Sequence, residues 1–371
     1  MTGRPWNGRR LPVALLGATG SVGQRFVALL ADHPWFEIVA LCASDRSAGR
    51  LYAESARWLQ TSPLPASAAS MRVLPADPAR LPDCPLVFSA LDAAVAGEIE
   101  SAFAGDGRLV VSNSRNHRLE PAVPLVVPEV NADHLELIEV QRRDNPSGGA
   151  IVTNPNCSTI GLVLALKPLQ DAFGLRAANV VTLQAVSGAG LPGIPSFEIL
   201  DNVVPHIAGE EEKLEVETGK ILGRLGERAI ERCPIVISAQ CNRVPVIDGH
   251  TLCVSVGLER EAAPAAVRDA LESFRGEPQA LGLPSAPARP VHFLDAPSGP
   301  QPRLHRDNDR GMAATVGRLR PCPLLDYKFV VLSHNTLRGA AGGALLLAEL
   351  VAARGFVPGV EALDRFTPRV G

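Results

Sequence analysis

The stretch Leu11-Pro12-Val13-Ala14-Leu15-Leu16-Gly17-Ala18-Thr19-Gly20-Ser21-Val22-Gly23 decides the fold. Leu11–Leu16 is a short apolar run, as expected of a strand covered on both faces, and residues 21–31 repeat with a helical period. Between the two, glycines are spaced GxxGxxG. Glycine at a strand-to-helix turn lets the chain fold tightly and brings backbone N–H groups up to a pyrophosphate at the positive end of the helix. The spacing is a variant of the usual dinucleotide fingerprint. Such glycines also serve plain tight turns, and it is the strand–turn–helix context that favours a nucleotide.

Outward from that turn, Phe36–Ala43 reads as the next strand and ends in Ser44-Asp45-Arg46-Ser47. A carboxylate at this point suits the ribose hydroxyl of NAD, and a cation suits the 2′-phosphate of NADP. Arg46 between two serines favours NADP, while Asp45 leaves NAD open. Further strands are expected at 86–91, 108–112 and 151–153, with helices at 93–104 and at 131–142, the latter opened by an Asn131 cap. This alternation implies a doubly wound parallel sheet. After the turn-rich break at 144–149 and the strand 151–153, the pattern changes. A helix is expected at 157–166 and another at 261–274, among longer strands at 180–187, 234–241, His250–Leu258, 313–319 and Tyr327–Ser333. The expected fold class is therefore α/β: a Rossmann-type parallel sheet over 1–153, an α+β unit with a mixed or antiparallel sheet over 154–335, and a C-terminal segment 336–371. That last segment carries a helix of small residues over 336–353, expected to return to the first unit. The Pro- and Arg-rich stretch 284–309 carries no reading.

Composition agrees with this plan. At about 150 residues per domain, 371 residues make two or three. Hydrophobic residues are 46% but aromatics only 4%, so aliphatic side chains must fill the core. A net charge of −3 gives no basic surplus for nucleic acid. The longest apolar stretch, 339–353, is interrupted by Glu349 and is too short for a membrane span. Arg4, Arg9 and Arg10 before Leu11–Leu16 give a superficial likeness to a signal peptide, but the run is short and flows into the glycine turn. Seven cysteines without a CxxC pair indicate neither a zinc site nor a disulfide framework, so no metal and a reducing cytoplasm are expected.

The sharpest local signal for chemistry is Asn154-Pro155-Asn156-Cys157-Ser158-Thr159. Asn156 is a helix cap in type, which puts Cys157 in the first turn. There the macrodipole and unpaired N–H groups are expected to lower the thiol pKa and yield a nucleophile for a carbonyl carbon. The partner is His250, after the Asp248-Gly249 turn, although on local sequence alone it reads as a surface histidine.

Together these residues resemble the aspartate-semialdehyde dehydrogenase family, archaeal and fungal branch. The likeness runs nearly end to end through GATGSVG, SDRSAG, SNSRNHR, NPNCST, QAVSGAG, EEEKLEVETGKILG, RVPVIDGHT and HNTLRGAAGGALLLAEL. The resemblance implies an NADP-dependent, phosphorylating aldehyde oxidoreductase of lysine, threonine and methionine biosynthesis. It makes 1–153 the dinucleotide-binding domain and 154–335 the catalytic and dimerisation domain of a homodimer or homotetramer. It implies Cys157 as nucleophile, His250 as acid–base residue and Gln184 as the group orienting the thiol-bound intermediate. Arg243 would pair with the substrate carboxylate and Glu210 with its amino group. Arg118 and Lys213 would hold phosphate, with Arg115 a weaker competitor, and Asn156, Ser187 and Gly188 would complete the substrate pocket. Gly17, Thr19, Gly20, Ser21, Val22, Ser44, Arg46, Ser47, Gly188 and Asn335 would line the dinucleotide. Two alternatives stay open: a reductase of N-acetylglutamyl phosphate or malonyl-CoA on the same scaffold, and a non-catalytic NADP-binding protein.

Overall fold

The structure, a computed structural model, describes residues 8–363. Arg4 and positions 364–371 lie outside the described residues. Strands β1 (Leu11–Leu16), β2 (Phe36–Ala43), β3 (Val73–Pro75), β4 (Leu86–Ser89), β5 (Leu109–Ser112) and β6 (Ala150–Thr153) form one sheet. Their order is β3-β2-β1-β4-β5-β6, and every pairing is parallel. The strand order reverses beside β1, so the carboxyl ends of β1 and β4 part and open a crevice, the usual ligand position in a doubly wound sheet. β4 stops at Ser89, short of the expected residue 91, because Ala90 and Leu91 turn to line that crevice. β3 is too short for its alternation to show in the sequence.

The expected cap at Asn131 is corrected. Its side chain turns back, accepting from the Val127 amide at 2.9 Å and donating to the Leu125 carbonyl at 2.9 Å. A 3₁₀ turn, Ala132–Glu136, therefore precedes the helix Leu137–Asp144.

The helix Cys157–Phe173 crosses to the second sheet and runs past Pro168, beyond the expected end at 166. The second sheet contains β7 (Leu175–Gln184), β10 (Val236–Arg243), β11 (His250–Leu258), β12 (Val291–Leu294), β13 (Ala314–Pro321) and β14 (Tyr327–Ser333). A separate hairpin joins β8 (Arg224–Leu225) to β9 (Ile230–Glu231). The sheet order is β10-β7-β11-β14-β13-β12. It is mixed: β10–β7 and β12–β13 are parallel, and the β7–β11, β11–β14 and β13–β14 pairings are antiparallel. Strand boundaries differ from expectation: β7 spans 175–184 instead of 180–187, β10 spans 236–243 instead of 234–241, and β13 spans 314–321 instead of 313–319. β7 ends at Gln184, after which Val186–Ala189 forms a 3₁₀ turn, and the unread stretch 284–309 contains β12 and a short helix, Pro302–His305.

The C-terminal segment starts as a π turn, Leu337–Ala341, and continues as the helix Gly342–Ala353, which is buried all round. It packs in one core with Leu11, Val13 and Leu15 of β1 and Leu109 and Val111 of β5. The small residues of this segment let it lie against the start of the thiol-bearing helix. A Cβ on Gly339 would sit 2.6 Å from the Cβ of Cys157. No helix among the described residues is long and apolar enough to cross a membrane.

Candidate active site

A cleft of about 670 Å³ opens where the carboxyl ends of the first sheet meet the second sheet. Cys157 is the first residue of its helix. Asn156 caps that helix, its Oδ1 accepting from the amides of Ser158 at 2.9 Å and Thr159 at 3.3 Å. The sulfur lies 3.2 Å from His250 Nε2. His250 heads β11 and is fully buried behind the thiol, which overturns the local reading of a surface histidine. Its Nδ1 accepts the Ala185 amide hydrogen at 3.0 Å. A neutral ring with Nδ1 as acceptor carries its proton on Nε2, so in this pose His250 donates to the sulfur.

The charge states differ from the sequence expectation. Burial, then the negative charge of Glu210, push the Cys157 thiol up to about 12, against the pull of Arg118, Arg243 and Lys213. The cap explains why the helix start does not rescue the thiolate: Asn156 already occupies the two amides that would have solvated it. Burial, then the Arg243 charge, push His250 down to about 3. The resting pair is therefore a thiol and a neutral imidazole. Alkylation of Cys157 by iodoacetamide in the free protein should climb steadily from about pH 6 to pH 9, measured against Cys157→Ala to subtract the other cysteines. A rate already level at about pH 7 would reveal a preformed thiolate–imidazolium pair instead.

The opposite wall comes from the helix Glu210–Ile221. Glu210 accepts from Lys213 Nζ at 2.6 Å, from Asn156 Nδ2 at 3.0 Å and from Gln184 Nε2 at 3.3 Å. Burial alone would raise its pKa, but the Lys213 charge and these hydrogen bonds outweigh it and hold the carboxyl below the usual carboxylate range. Arg243, at the end of β10, is buried and fixed by one nitrogen, Nη1 donating to the Ala185 carbonyl at 2.8 Å. Arg118 is buried too, donating through Nη1 to Glu217 and through Nη2 to the Asn113 carbonyl, both at 2.8 Å. Its Nε is buried without a hydrogen-bond partner. Arg115 also reaches the cleft, but from an exposed position.

The dinucleotide turn fits its expected ligand. Gly17 sits at φ +75°, and a Cβ there would meet the Ala90 carbonyl oxygen at 2.4 Å. The helix Ser21–Leu30 starts at Gly20 with no side-chain cap and no acidic residue in its first turn, which leaves its N-terminus open to an anion. Gly20, Ser21 and Val22 line the cleft. Gly17 and Thr19 stand behind them, while Ser44 and Arg46 are exposed and Ser47 half-buried beyond the end of β2, outside the cleft. Asn335, Ser187 and Gly188 close the far side. The Asn335 amide bridges two segments, accepting from the Gly249 amide and donating to Ser187 Oγ, both at 2.8 Å.

A family model for semialdehyde dehydrogenase, NAD binding domain, matches residues 12–138, and one for semialdehyde dehydrogenase, dimerisation domain, matches residues 166–338. The aspartate-semialdehyde dehydrogenase of Schizosaccharomyces pombe is 51% identical over 93% of this chain and 99% of its own. That of Methanothermobacter thermautotrophicus is 51% identical over 91% of this chain and 98% of its own. The chain belongs to the aspartate-semialdehyde dehydrogenase family. Among solved structures, that of the Candida albicans aspartate semialdehyde dehydrogenase with NADP superposes with a TM-score of 0.87 at 46% identity, covering 94% of this chain and all of that one. Likeness to both fungal and archaeal relatives agrees with the branch read from the SDRSAG and EEEKLEVETGKILG blocks.

Several residues of this semialdehyde dehydrogenase site escape a reading of the sequence. Tyr52 Oη donates to the Ala18 carbonyl at 2.7 Å and Gln24 Nε2 to the Thr19 carbonyl at 3.0 Å, which fixes two carbonyls of the glycine turn. Arg338 of the π turn is fully buried and pairs with Glu129 through both terminal guanidinium nitrogens, Nη1 donating to Oε1 at 2.8 Å. This pair pins the turn that carries Gly339 against the thiol. The Tyr52 and Arg338 pairings leave no local signal, since their partners stand far apart in the chain.

Proposed function

We propose that this chain interconverts aspartate semialdehyde plus phosphate with aspartyl phosphate, using NADP and a cysteine thioester. The observation that carries the reading is a thiol 3.2 Å from an imidazole in a cleft holding one buried carboxylate and two buried arginines. A substrate with a carboxylate, an ammonium and a phosphate needs a cation, an anion and further cations. Arg243 supplies the first, Glu210 the second, and Arg118 with Lys213 the third.

Cys157 Sγ bonds to the aldehyde carbon, and the thiol proton passes to the carbonyl oxygen. The nearest proton-bearing group is His250 Nε2–H, which hydrogen-bonds that oxygen as charge builds on it. Bound NADP would supply the hydride acceptor, and in reverse the donor; as the hydride leaves the carbon the hydroxyl proton is released to water, and a thioester remains on Cys157. Gln184 and the Ser187–Gly188 turn hold the acyl group on sulfur. Hydrogen phosphate held by Arg118 and Lys213 then attacks the thioester carbon; the C–S bond breaks, the acyl phosphate leaves and the proton of the attacking phosphate passes to the Cys157 sulfur. The uncapped turn at Gly20–Val22 would hold the pyrophosphate and Arg46 the 2′-phosphate. NADP in the Candida albicans structure supports this preference. NAD is the alternative, through Asp45.

Association into a homodimer or homotetramer is part of the proposal. Leu191, Phe197, Leu200 and Val203 expose large apolar side chains on one segment of the second unit, more than an isolated chain usually presents together. A solution mass equal to one chain would end that part. The reducing cytoplasm remains the proposed location, supported by seven free cysteines. The deciding experiment is NADP⁺ reduction by aspartate semialdehyde with phosphate added and withheld, repeated with NAD⁺. Turnover that ignores phosphate would refute the reading. Preference for N-acetylglutamyl phosphate or malonyl-CoA would replace it with one of the related reductases.

A further inference from the structure

The helix Glu210–Ile221 carries two more charged residues on the face that bears Glu210 and Lys213, at the helical spacing 217 and 220. Both are almost completely buried, Glu217 2% exposed and Lys220 3%. Glu217 divides its carboxylate between two donors. Oε1 accepts from Arg118 Nη1 at 2.8 Å, and Oε2 accepts from the Asn156 amide at 2.7 Å. One carboxylate thus ties the arginine of the expected phosphate site to the residue that caps the thiol helix. Lys220 holds the backbone of the same loop, its Nζ donating to the carbonyls of Arg118 at 2.8 Å, Glu120 at 2.8 Å and Val123 at 2.7 Å.

We propose that Glu217 and Lys220 are positioning residues for the phosphate site, setting where the Arg118 guanidinium stands relative to the Cys157 sulfur. This rests on the reading that Arg118 receives phosphate. Geometry and charge pull in opposite directions here, which makes the idea testable by sign. A negative charge beside an anion site opposes anion binding, so neutralising Glu217 should strengthen phosphate binding if charge alone mattered. If position matters, the same change must weaken it. Both partners of Glu217 are donors, and a glutamine offers one acceptor oxygen and one NH₂ group. It can satisfy Arg118 or Asn156, and its NH₂ then faces a donor.

The test is the rate of NADP⁺ reduction at saturating aspartate semialdehyde with inorganic phosphate varied, in wild type, Glu217→Gln, Glu217→Asp, Lys220→Met and Lys220→Arg. Expected are a phosphate KM raised about tenfold or more in Glu217→Gln and Lys220→Met, and an aldehyde KM within about twofold of wild type. Glu217→Asp keeps the charge but retracts the carboxylate, so it should raise the phosphate KM as well. Lys220→Arg should recover part of the loss. A phosphate KM unchanged or lowered in folded Glu217→Gln overturns the inference. If Lys220→Met fails to fold, an unchanged phosphate KM in Glu217→Asp overturns it equally. Absence of any phosphate dependence in wild type would instead condemn the functional reading on which this rests.

Discussion

Replacing Cys157 by alanine should abolish turnover, lowering kcat by about 10⁴-fold or more, while the affinity for NADPH stays within about twofold. The size follows from the proposed chemistry: without the sulfur there is no thioester for phosphate to attack. The selectivity follows from the layout. Cys157 lines the cleft beside Gly339, whereas the dinucleotide turn at Gly20–Val22 belongs to a different element. Alanine keeps the Cβ against which Gly339 packs, so the fold should tolerate the change, with Tm shifted by about 2 °C at most. Cys157→Ser should be nearly as inactive. A hydroxyl is a weaker nucleophile than a thiol, and His250 presents its N–H rather than a lone pair, so it offers no base. NADPH binding can be followed by fluorescence and turnover by absorbance. Retained turnover in the alanine variant would remove covalent catalysis from the proposal.

What could be read from the sequence was what neighbours in the chain determine. The glycine turn is legible because a strand, three glycines and a helix follow one another within the span from Leu11 to Leu30. The position of Cys157 is legible because its cap is the preceding residue. Its charge state was not, for the same cap consumes the amides and the burial comes from distant residues such as Gly339. His250 looks like a surface histidine until β11 pairs with β7 on one side and β14 on the other, a long-range event that buries it completely. Asn131 has the chemistry of a cap, but its amide serves the preceding loop instead. Glu217 and Lys220 sit in a Glu- and Lys-rich helix that by composition is a solvated face. Only the packing of the Arg118 loop on that helix makes them interior.

Arg243→Leu should raise the KM for aspartate semialdehyde roughly 100-fold with a smaller loss in kcat, because truncating one partner of a buried, hydrogen-bonded charge pair costs about 3 kcal/mol. The guanidinium is well prepared for a carboxylate. It is 6% exposed, lines the cleft, and is fixed by one nitrogen on the Ala185 carbonyl, so little freedom is lost when substrate binds. The kcat loss should not be zero. The residue that takes the Arg243 hydrogen bond through its carbonyl is the one whose amide locks the His250 ring, so removing the arginine loosens the histidine by one step. Removing its positive charge also relieves one of the causes that hold His250 low, so any kcat–pH profile of the variant should shift its lower limb upward. Arg243→Lys should recover only part of the affinity, since an ammonium cannot hold the Ala185 carbonyl and a carboxylate in one planar fork. Steady-state rates with the aldehyde varied at saturating phosphate and NADP⁺ give the answer. A KM unchanged in Arg243→Leu would take the substrate carboxylate away from Arg243 and require another cation of the cleft to receive it.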